Sequence, residues 1–440
     1  MTITTLKATF RASIAASALT LTAAIPAFAQ TTLSAEEQAI AAAVAADYEA
    51  QINFLEKITN INSGTRNLEG VRAVGRAFDA EFKALGFDTR WIDMPAEMDR
   101  AGHFDASYKA GDGKSVLLIG HLDTVFPKDS PFQKFERDGD RVKGPGVVDM
   151  KAGDVIVLYA LKALKATGHL DTGSYRVIFT GDEESTGKPL SISRKDLIEA
   201  GKASDFALNF EGGSDGMAVI GRRGSSNWSL ETTGKRAHSS GVFSDEVGAG
   251  AVFEMSRILH RFYGEVRGEH GLTFNPGVLA GGTFITEGEN DSTQTAFGKT
   301  NVVAQKAVVH GGLRFMSEEQ KERARAKMRE IVADHLPGTG ATITFEDSYP
   351  AMQEGPENTR MLGVMSDVNI ALGAGPITAY PPEKRGAADV SFVAPHTPSM
   401  DGLGAFGGAG HTPDEWLDLS RQQFATTRAA ILLYRLMREE

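Results

Sequence analysis

Three short apolar runs, separated by a helical pattern, set the strongest limit on how this chain can fold. They cover residues 116–119, 177–179 and 206–210, and each has the length of a buried strand. Between the first two runs, apolar residues recur at i, i+3, i+4 and i+7 from Val157 to Leu164. Strands that alternate with helices predict an α/β fold with a mixed, mostly parallel sheet and helices on both faces.

Two helical patterns precede the first strand. Ser34 and Glu37 form a capping-box pattern before apolar positions between Ile40 and Leu55, which predicts one helix there. A second helix is predicted around residues 71–85, ending at a glycine. Two helices are therefore predicted before the first strand, and they can cover one face of the sheet.

The pattern changes near Gly221. Beyond it the chain predicts a β-α-β-β-α-β order, with elements at 225–233, 246–263, 272–286, 302–315, 317–335 and 341–347. This order is typical of a ferredoxin-like α+β domain. After Pro350 the α/β pattern returns, with helices near 358–373 and from Ser420. We therefore expect an α/β domain formed by residues 30–220 and 350–440, interrupted by an inserted domain at 221–349.

The first 29 residues have the pattern of a secretory signal peptide. Lys7 and Arg11 provide a basic start, residues 12–25 are apolar, and Ala27-Phe28-Ala29 is a small-x-small cleavage signal. A membrane anchor is the alternative, but the apolar run is shorter than the ~20 residues of a spanning helix. We expect cleavage near Ala29 and an exported protein, periplasmic or secreted, that no longer contacts the membrane.

Charge and composition exclude several classes of protein. The formal net charge is −11 and the chain has no basic run, which argues against a nucleic-acid partner. There is no cysteine, so disulfides are excluded and any metal site must use histidines and carboxylates. The glycine-rich loops match neither phosphate-binding pattern, which leaves a nucleotide-binding function with little support.

Acidic residues and histidines follow the predicted strands directly. They are His121 and Asp123 after the first strand, Glu183 and Glu184 after the second, and Glu211 after the third. Asp149 and His411 lie in the glycine-rich stretches GPGVVDMKAG and GGAGHTPDEW. Because ligands of open α/β sheets bind beyond the carboxyl ends of the strands, we expect these side chains to converge.

Each of these residues taken alone has an ordinary explanation: a histidine hydrogen-bonded within the protein, an acid exposed to solvent, or a side chain that caps a helix. Their combination favours a metal site, with the ligands His121, Asp149, Glu184, Glu211 and His411. Two imidazoles and three carboxylates suit zinc and leave a coordination position open for water. Glu183 lies beside a ligand without being one, so it is placed to act as a general base.

The motifs GHLDTVFP, GPGVVDMKAG, FTGDEESTG, NFEGG and GAGHTPDEW resemble, in order, the signatures of the M20-type zinc metallopeptidase family. Within that family, the chain is most similar to the glutamate carboxypeptidase branch, carboxypeptidase G type. The match covers essentially the whole mature chain, including the position of the insertion. The resemblance implies a catalytic di-zinc domain, an inserted dimerisation and lid domain, and two Zn²⁺ per chain, for which Co²⁺ or Mn²⁺ can substitute.

The resemblance also implies how the two metals are held. His121 would bind one zinc and His411 the other. Asp149 would bridge them, and Glu184 and Glu211 would each complete one metal.

Further roles are implied around this centre. Asp123 would accept the other ring N–H of His121 and fix its tautomer. Glu183 would be the general base, and the Asp149–Met150 peptide bond would be cis.

The inserted domain contributes substrate contacts according to the same resemblance. His238, in GKRAHSSG, would act as a catalytic residue: it would reach the active site of a neighbouring subunit and help to stabilise the tetrahedral oxyanion, which implies a homodimer. Arg314, in GGLRF, would bind a terminal carboxylate, and Asn275 would be a further substrate contact. No role is predicted for Arg222 and Arg223.

Two features bear on the substrate. Ala387 and Ala388, in RGAADVSF, stand where the family usually has Gly and Ser or Thr, which leaves the side-chain specificity open. Glu211, where other members have Asp, goes with carboxypeptidases and N-acyl amino acid deacylases in that family. We therefore expect an exported carboxypeptidase that releases a C-terminal amino acid, above all glutamate, from peptides or from N-acyl or folate-type conjugates.

Two alternatives remain. An N-acyl amino acid amidohydrolase would use the same metal chemistry with a different acyl pocket. A non-catalytic exported protein that binds zinc or peptide belongs to another class, and the free carboxylate of Glu183 argues against it.

Overall fold

The structure, a computed structural model, describes residues 32–111, 113–288 and 293–439. The predicted signal peptide lies outside these residues. Within them the α-helices are α1 (Ala35–Ala46), α2 (Tyr48–Thr59), α3 (Leu68–Ala84), α4 (Lys151–Ala166), α5 (Leu190–Ser193), α6 (Lys195–Lys202), α7 (Ala251–Glu265), α8 (Glu318–Ala333), α9 (Pro356–Ala371), α10 (Val390–Val393) and α11 (Gln422–Leu436).

The β-strands alternate with these helices in the first part of the chain and cluster in the middle part. They are β1 (Asp88–Ile92), β2 (His103–Lys109), β3 (Ser115–His121), β4 (Glu136–Asp138), β5 (Arg141–Lys143), β6 (Ser174–Thr180), β7 (Phe206–Asn209), β8 (Met217–Ala218), β9 (Gly224–Gly234), β10 (Thr273–Gly282), β11 (Phe284–Glu287), β12 (Gln294–Phe297), β13 (Lys306–Phe315), β14 (Thr339–Asp347), β15 (Thr378–Ala379), β16 (Ser399–Met400), β17 (Gly407–Gly408) and β18 (Trp416–Asp418).

The main sheet has six strands in the order β1-β2-β6-β3-β7-β16. Strands β6, β3, β7 and β16 are parallel, while β1 and β2 form an antiparallel edge. Leu118 packs with the cluster that contains α4 and α11, whereas Leu117 and Ile119 pack with α6 and α10 on the opposite face. The predicted α/β class, with a mostly parallel sheet covered on both faces, is confirmed.

The middle of the chain forms a separate antiparallel sheet in the order β10-β13-β9-β14, with α7 and α8 on one face. The chain order β9-α7-β10-β13-α8-β14 and this strand order are those of the ferredoxin-like arrangement predicted from sequence. Trp228 and Phe262 lie at the centre of its own apolar core, which is distinct from the core of the main sheet. The inserted domain therefore folds around its own hydrophobic residues.

Several elements differ from the prediction. The single helix expected from Ile40 to Leu55 is two helices that meet at Asp47; α1 packs on both α11 and α4, and α2 packs on α4. The capping box of Ser34 and Glu37 is present. The strand predicted at 272–286 ends at Gly282, and the chain beyond it forms a ribbon, β11 with β12, that local sequence did not indicate.

Helix α7 begins later than predicted, at Ala251. Gly248 and Gly250 have φ values of +78° and +83°, a left-handed conformation that interrupts the helix before that point. In the part of the chain that the structure describes, no helix has both the length and the hydropathy needed to cross a bilayer.

Candidate metal centre

The carboxyl ends of three parallel strands bring the predicted ligands together. His121 is the last residue of β3, Glu184 lies in the loop after β6, and Glu211 follows β7. Asp149 lies just before α4, and His411 lies in the loop between β17 and β18. Chain topology therefore places five side chains from distant parts of the sequence at one edge of the sheet.

Two groups of potential ligand atoms share one carboxylate. His121, Asp149 and Glu211 form one group, and Asp149, Glu184 and His411 form the other, with all atoms of a group within 4.8 Å of one another. The Nε2 atom of His121 lies 3.3 Å from Oδ1 of Asp149, and the Nε2 atom of His411 lies 3.0 Å from Oδ2. The two oxygens of Asp149 thus face different histidines, as a bridging ligand requires.

The outer ligands complete the same pattern. Glu211 Oε1 lies 3.6 Å from His121 Nε2, and Glu184 Oε2 lies 3.0 Å from His411 Nε2. The Asp149–Met150 peptide bond is cis, as the family resemblance implies. Each of the five side chains predicted as ligands therefore belongs to at least one of the two groups, and Asp149 belongs to both.

The electrostatics of this cluster favour positive charge. Hydrogen bonds to Asp149 and Glu184 raise the pKa of His411 to about 11. Burial opposes protonation of His121, but Asp123, Asp149 and Glu211 outweigh it and raise its pKa well above the usual value. Burial raises the pKa of Glu211. A cluster of carboxylates that attracts charge this strongly onto its imidazoles suits cations as ligands, and its N and O donors suit zinc.

Asp123 acts at the back of the site in a way that differs in detail from the prediction. The Nδ1 atom of His121 lies 3.0 Å from the backbone oxygen of Asp123 and 3.4 Å from its carboxylate. The carboxylate accepts hydrogen bonds from Thr65 Oγ1 at 2.6 Å and from the N–H groups of Glu183 and Glu184 at 3.0 and 3.2 Å. Asp123 therefore orients His121 mainly through its backbone and ties the β3 loop to the β6 loop through its side chain.

Glu183 is next to the candidate ligand Glu184 in the chain and belongs to neither ligand group. Burial, together with neighbouring carboxylates, raises its pKa well above the usual value. Its backbone oxygen accepts a hydrogen bond from Tyr349 Oη at 3.0 Å. Glu183 is thus a carboxylate held beside the ligands, with a raised affinity for a proton.

Glu415 contacts the loop that carries Asp149, and no role is predicted for it from the sequence. Its side chain is fully buried and accepts hydrogen bonds from the N–H groups of Val148, Asp149 and Gly146 at 2.9, 3.1 and 3.1 Å. It therefore joins the loop that carries His411 to the loop that carries Asp149. Only its presence in the same motif as His411 could have drawn attention to it.

A second buried network supports the loop that carries Glu183. Arg194 donates to Asp182 at 2.6 Å and to Asp389 at 2.8 Å, and all three side chains are almost completely buried. Asp389 also accepts a hydrogen bond from Thr180 at 2.6 Å. No local pattern predicts this network, because its members are up to about two hundred residues apart in the chain.

The predicted substrate contacts lie on the inserted domain. Arg314 and Asn275 are both exposed, and the pairing of β10 with β13 places Arg314 opposite Thr273. Because residues i and i+2 of a strand share a face, Asn275 lies on the face that carries Arg314. His238 is exposed, and its Nδ1 atom lies 2.8 Å from Ser240 Oγ.

The two arginines without a predicted role differ from each other. Arg222 is buried and donates to Asp401 at 2.7 Å and to the carbonyl of Gly386 at 2.7 Å, so it fastens the start of the inserted domain to the α/β domain. Arg223 donates to Thr273 at 3.3 Å, beside Arg314. Partial desolvation of the otherwise exposed Arg314 side chain and the charge of Arg223 lower the pKa of Arg314.

Comparison with known proteins agrees with this geometry. The model of peptidase family M20/M25/M40 matches residues 117–435. Carboxypeptidase G2 of Pseudomonas sp. (strain RS-16) is 28% identical over 381 residues, which cover 84% of this chain and 85% of that protein. A succinyl-diaminopimelate desuccinylase of Gluconacetobacter diazotrophicus is 24% identical over 369 residues, covering 81% of this chain and 90% of that protein.

Among solved structures, aminopeptidase PepT of Bacillus cereus has a TM-score of 0.69 at 17% sequence identity. The match covers 88% of this chain and 98% of that one. At this identity the likeness concerns the fold alone.

Proposed function

The chain belongs to peptidase family M20/M25/M40 and is a hydrolase, and from this premise we propose that it is an exported di-zinc carboxypeptidase. It would release a C-terminal amino acid, glutamate first, from peptides or N-acyl conjugates. The observation that carries the proposal is the sharing of Asp149 between two ligand groups. Two-metal hydrolases hold their two ions a few ångströms apart. A carboxylate shared by both ligand groups would suit such a pair.

The ligand set fits zinc. Each group offers one imidazole and two carboxylates, with Asp149 common to both, and no thiolate competes because the chain has no cysteine. Three carboxylates against two divalent ions leave a net charge of +1, which suits an anionic substrate. Bound zinc would supply Lewis acidity, polarising the scissile carbonyl and making a water molecule easier to deprotonate.

The chain's own residues supply the proton transfer. Glu183 would take a proton from the attacking water on a carboxylate oxygen and pass it to the leaving amine. Asp123 and Tyr349 hold the backbone on either side of this carboxylate, which limits where it can move. A free base beside the ligands supports catalysis over the alternative of a non-catalytic binding protein.

The released amino acid would be bound by the inserted domain. Arg314 and Arg223 lie close together, and neither forms an ion pair with a carboxylate in the described residues. Two adjacent cations without an acidic partner favour a ligand with one or more carboxylates. A C-terminal glutamate, which carries two free carboxylates both before and after release, fits this charge pattern.

The N-acyl amino acid amidohydrolase remains the second candidate. One relative, the desuccinylase, bears a name that describes removal of an acyl group from an amine. The two candidates share the metal chemistry and differ in what the acyl pocket accepts.

A substrate panel with a matched variant tests the proposal. The mature protein would be stripped by a chelator, reloaded with Zn²⁺, Co²⁺ or Mn²⁺, and assayed for amino acids released from peptidyl and N-acyl conjugates. We expect zinc-dependent release, greatest for glutamate, and its loss in Glu183→Gln with zinc content unchanged. Exposed Glu56→Gln is the control. Release that persists in chelator or in Glu183→Gln would refute the mechanism, and release spread over other amino acids would favour the amidohydrolase.

We also propose that the protein is a homodimer formed through the inserted domain. An apolar patch on α7, β10, the β11–β12 ribbon and the loop before α7 has side chains between 45% and 68% exposed, namely Phe243, Val252, Phe253, Leu279, Phe284 and Phe297. Strand β10 is the outer strand of its sheet and can pair with another chain. Apolar groups beside an open strand edge support a contact between two copies.

Two measurements test the dimer and the role of His238. Sedimentation should give a dimer for the native chain and a monomer for Phe253→Asp, whereas Ile192→Asp on the α/β domain should stay dimeric. Glu183→Gln and His238→Ala should each be nearly inactive, but co-refolding the two should restore activity. The mixed dimer has one site with both native residues only if His238 acts in trans, so absence of rescue in a proven heterodimer would refute that role.

Export would be tested directly. N-terminal sequencing of protein from the periplasm or culture medium should begin just after Ala29, and an uncleaved chain in the cytoplasm would contradict the proposal.

A further inference from the structure

A cavity of about 290 Å³ adjoins the candidate metal ligands. Asp149 and Glu211 form part of its wall, and the rest comes from the α/β domain alone. Glycine-rich backbone contributes much of the lining, and the larger side chains are Val148, Met217, Val219, Tyr380 and Arg385. A group bound in this cavity would therefore lie directly beside the atoms that hold the metals.

Arg385 gives this mainly uncharged and acidic lining its positive charge. Its Nη2 atom donates to the carbonyl of Gly212 at 2.8 Å, and its guanidinium lies 5.2 Å from the ring centroid of Tyr380. The Nε atom is buried and lacks a hydrogen-bond partner. Within the described residues, no carboxylate lies close enough to form an ion pair with it.

Two other arginines near the centre, Arg194 and Arg222, are different. Arg194 is held by two aspartates and Arg222 by one, so their charges are already used within the protein. Arg385 keeps donors available and carries a charge without a counter-ion, beside a cavity that can admit a ligand. A guanidinium in this state favours a carboxylate from outside the chain.

The position of the cavity indicates which side of the substrate it serves. This step rests on the proposed function, in which Arg314 of the inserted domain binds the released amino acid. An amide has two sides, and the cavity of the α/β domain is then left for the acyl group. Gly212, which Arg385 contacts, follows the candidate ligand Glu211 directly, so a short acyl chain would reach the guanidinium.

We propose that Arg385 makes the protein selective for amide substrates whose acyl group ends in a carboxylate, such as N-succinyl or N-glutaryl amino acids. Hydrolysis consumes one water, breaks the amide C–N bond, and yields the dicarboxylate and the free amino acid. Tyr380 and Met217 contact the methylene part of such a chain, and the guanidinium binds its far end.

The test compares two conjugates of equal shape, carrying the amino acid that the panel shows to be released best. One has a succinyl group, and the other has the same group with its free carboxylate replaced by a neutral carboxamide. For the zinc-loaded native protein we expect kcat/KM to be at least tenfold higher for the succinyl conjugate. A difference of this size is what a hydrogen bond between the guanidinium and a charged carboxylate provides. Arg385→Gln should bring the ratio near one, and Arg385→Lys should give an intermediate ratio.

Arg137→Gln is the matched control, because this arginine is exposed and lies on β4, away from the cavity lining. It should leave the ratio unchanged. A native ratio near one would overturn the inference. So would equal losses for both conjugates in Arg385→Gln, which would reduce Arg385 to a support for the Gly212 loop.

Calorimetry gives a readout that does not require turnover. Succinate should bind the zinc-loaded native protein more tightly than butyrate, which shares one carboxylate but lacks the second. Arg385→Gln should abolish this difference. If the native protein hydrolyses no conjugate, the proposed function fails, and the succinate comparison then decides the role of Arg385 independently.

Discussion

Replacing Glu415 tests whether buried carboxylates position the candidate ligands. This side chain accepts three backbone N–H bonds from the loop that carries Asp149. In Glu415→Gln, the amide oxygen can still accept from Val148 and Asp149, but the NH₂ group faces the N–H of Gly146. One buried donor then lacks an acceptor, which costs about 1–3 kcal/mol.

We expect much of this cost to appear in metal binding. Asp149 belongs to both ligand groups, so a displaced loop weakens both sites together. Since 1.4 kcal/mol corresponds to a tenfold change, zinc affinity should fall about 10- to 100-fold in Glu415→Gln. Glu415→Ala leaves all three donors without an acceptor and should destabilise the fold by about 3–5 kcal/mol as well.

The assay is a competitive zinc titration with a chromophoric chelator, paired with thermal unfolding at matched zinc. Asp414→Asn is the control, because its side chain is 80% exposed and contacts Lys143 at the surface. A folded Glu415→Gln protein that binds two zinc ions with native affinity would refute the reasoning. A loss confined to one zinc would also refute it, because Asp149 is shared.

Three further predictions concern stability. Arg194→Met leaves two buried aspartates without their cation and should cost about 3–5 kcal/mol in urea unfolding; a near-neutral result would mean that the network contributes nothing. Burial opposes ionisation of Glu254, but hydrogen bonds, chiefly from Arg257, outweigh it and lower its pKa. The stabilisation from ionised Glu254 is therefore present above the unfolded pKa of about 4.5 and is lost as pH falls through the lower folded pKa. Glu254→Gln should flatten the acid side of a plot of unfolding free energy against pH. An unchanged plot would contradict this. Gly153→Ala places a Cβ atom 2.1 Å from the backbone oxygen of Phe210, just after β7, and should lower both stability and zinc affinity. Gly264→Ala, which has open space around it, should stabilise the fold by about 0.5–1 kcal/mol. Equal effects of the two substitutions would show that the backbone around Gly153 adjusts without cost.

The strands and most ligands could be predicted because their signals are local. The apolar run at 116–119 ends just before His121, and a parallel arrangement follows from the alternation with helices. From there, the rule that ligands gather at strand ends brings Glu184 and Glu211 to the same edge. The family resemblance then indicated Asp149 as the shared ligand, and the structure places its two oxygens toward different histidines.

The features that were missed depend on contacts across the chain. Asp47 divides the first predicted helix into α1, which packs on both α11 and α4, and α2, which packs on α4; the helical period does not show these contacts. Glu415 and the neighbouring exposed Asp414 look alike in sequence, although one is buried and the other is not. The β11–β12 ribbon depends on pairing between two short exposed segments with weak alternation.

The buried charges near the centre divide into two kinds, and the difference indicates what each does. Asp123 and Glu415 accept hydrogen bonds from the backbone of ligand-bearing loops, and these contacts fix the ligands in place. For Glu415 burial still outweighs the hydrogen bonds and raises its pKa to about 7. Arg385 makes one hydrogen bond to a backbone oxygen and has no acidic partner in the described part of the chain. Because Arg385 lies beside a cavity and no carboxylate of the described residues pairs with it, its charge is available to a ligand that carries a carboxylate.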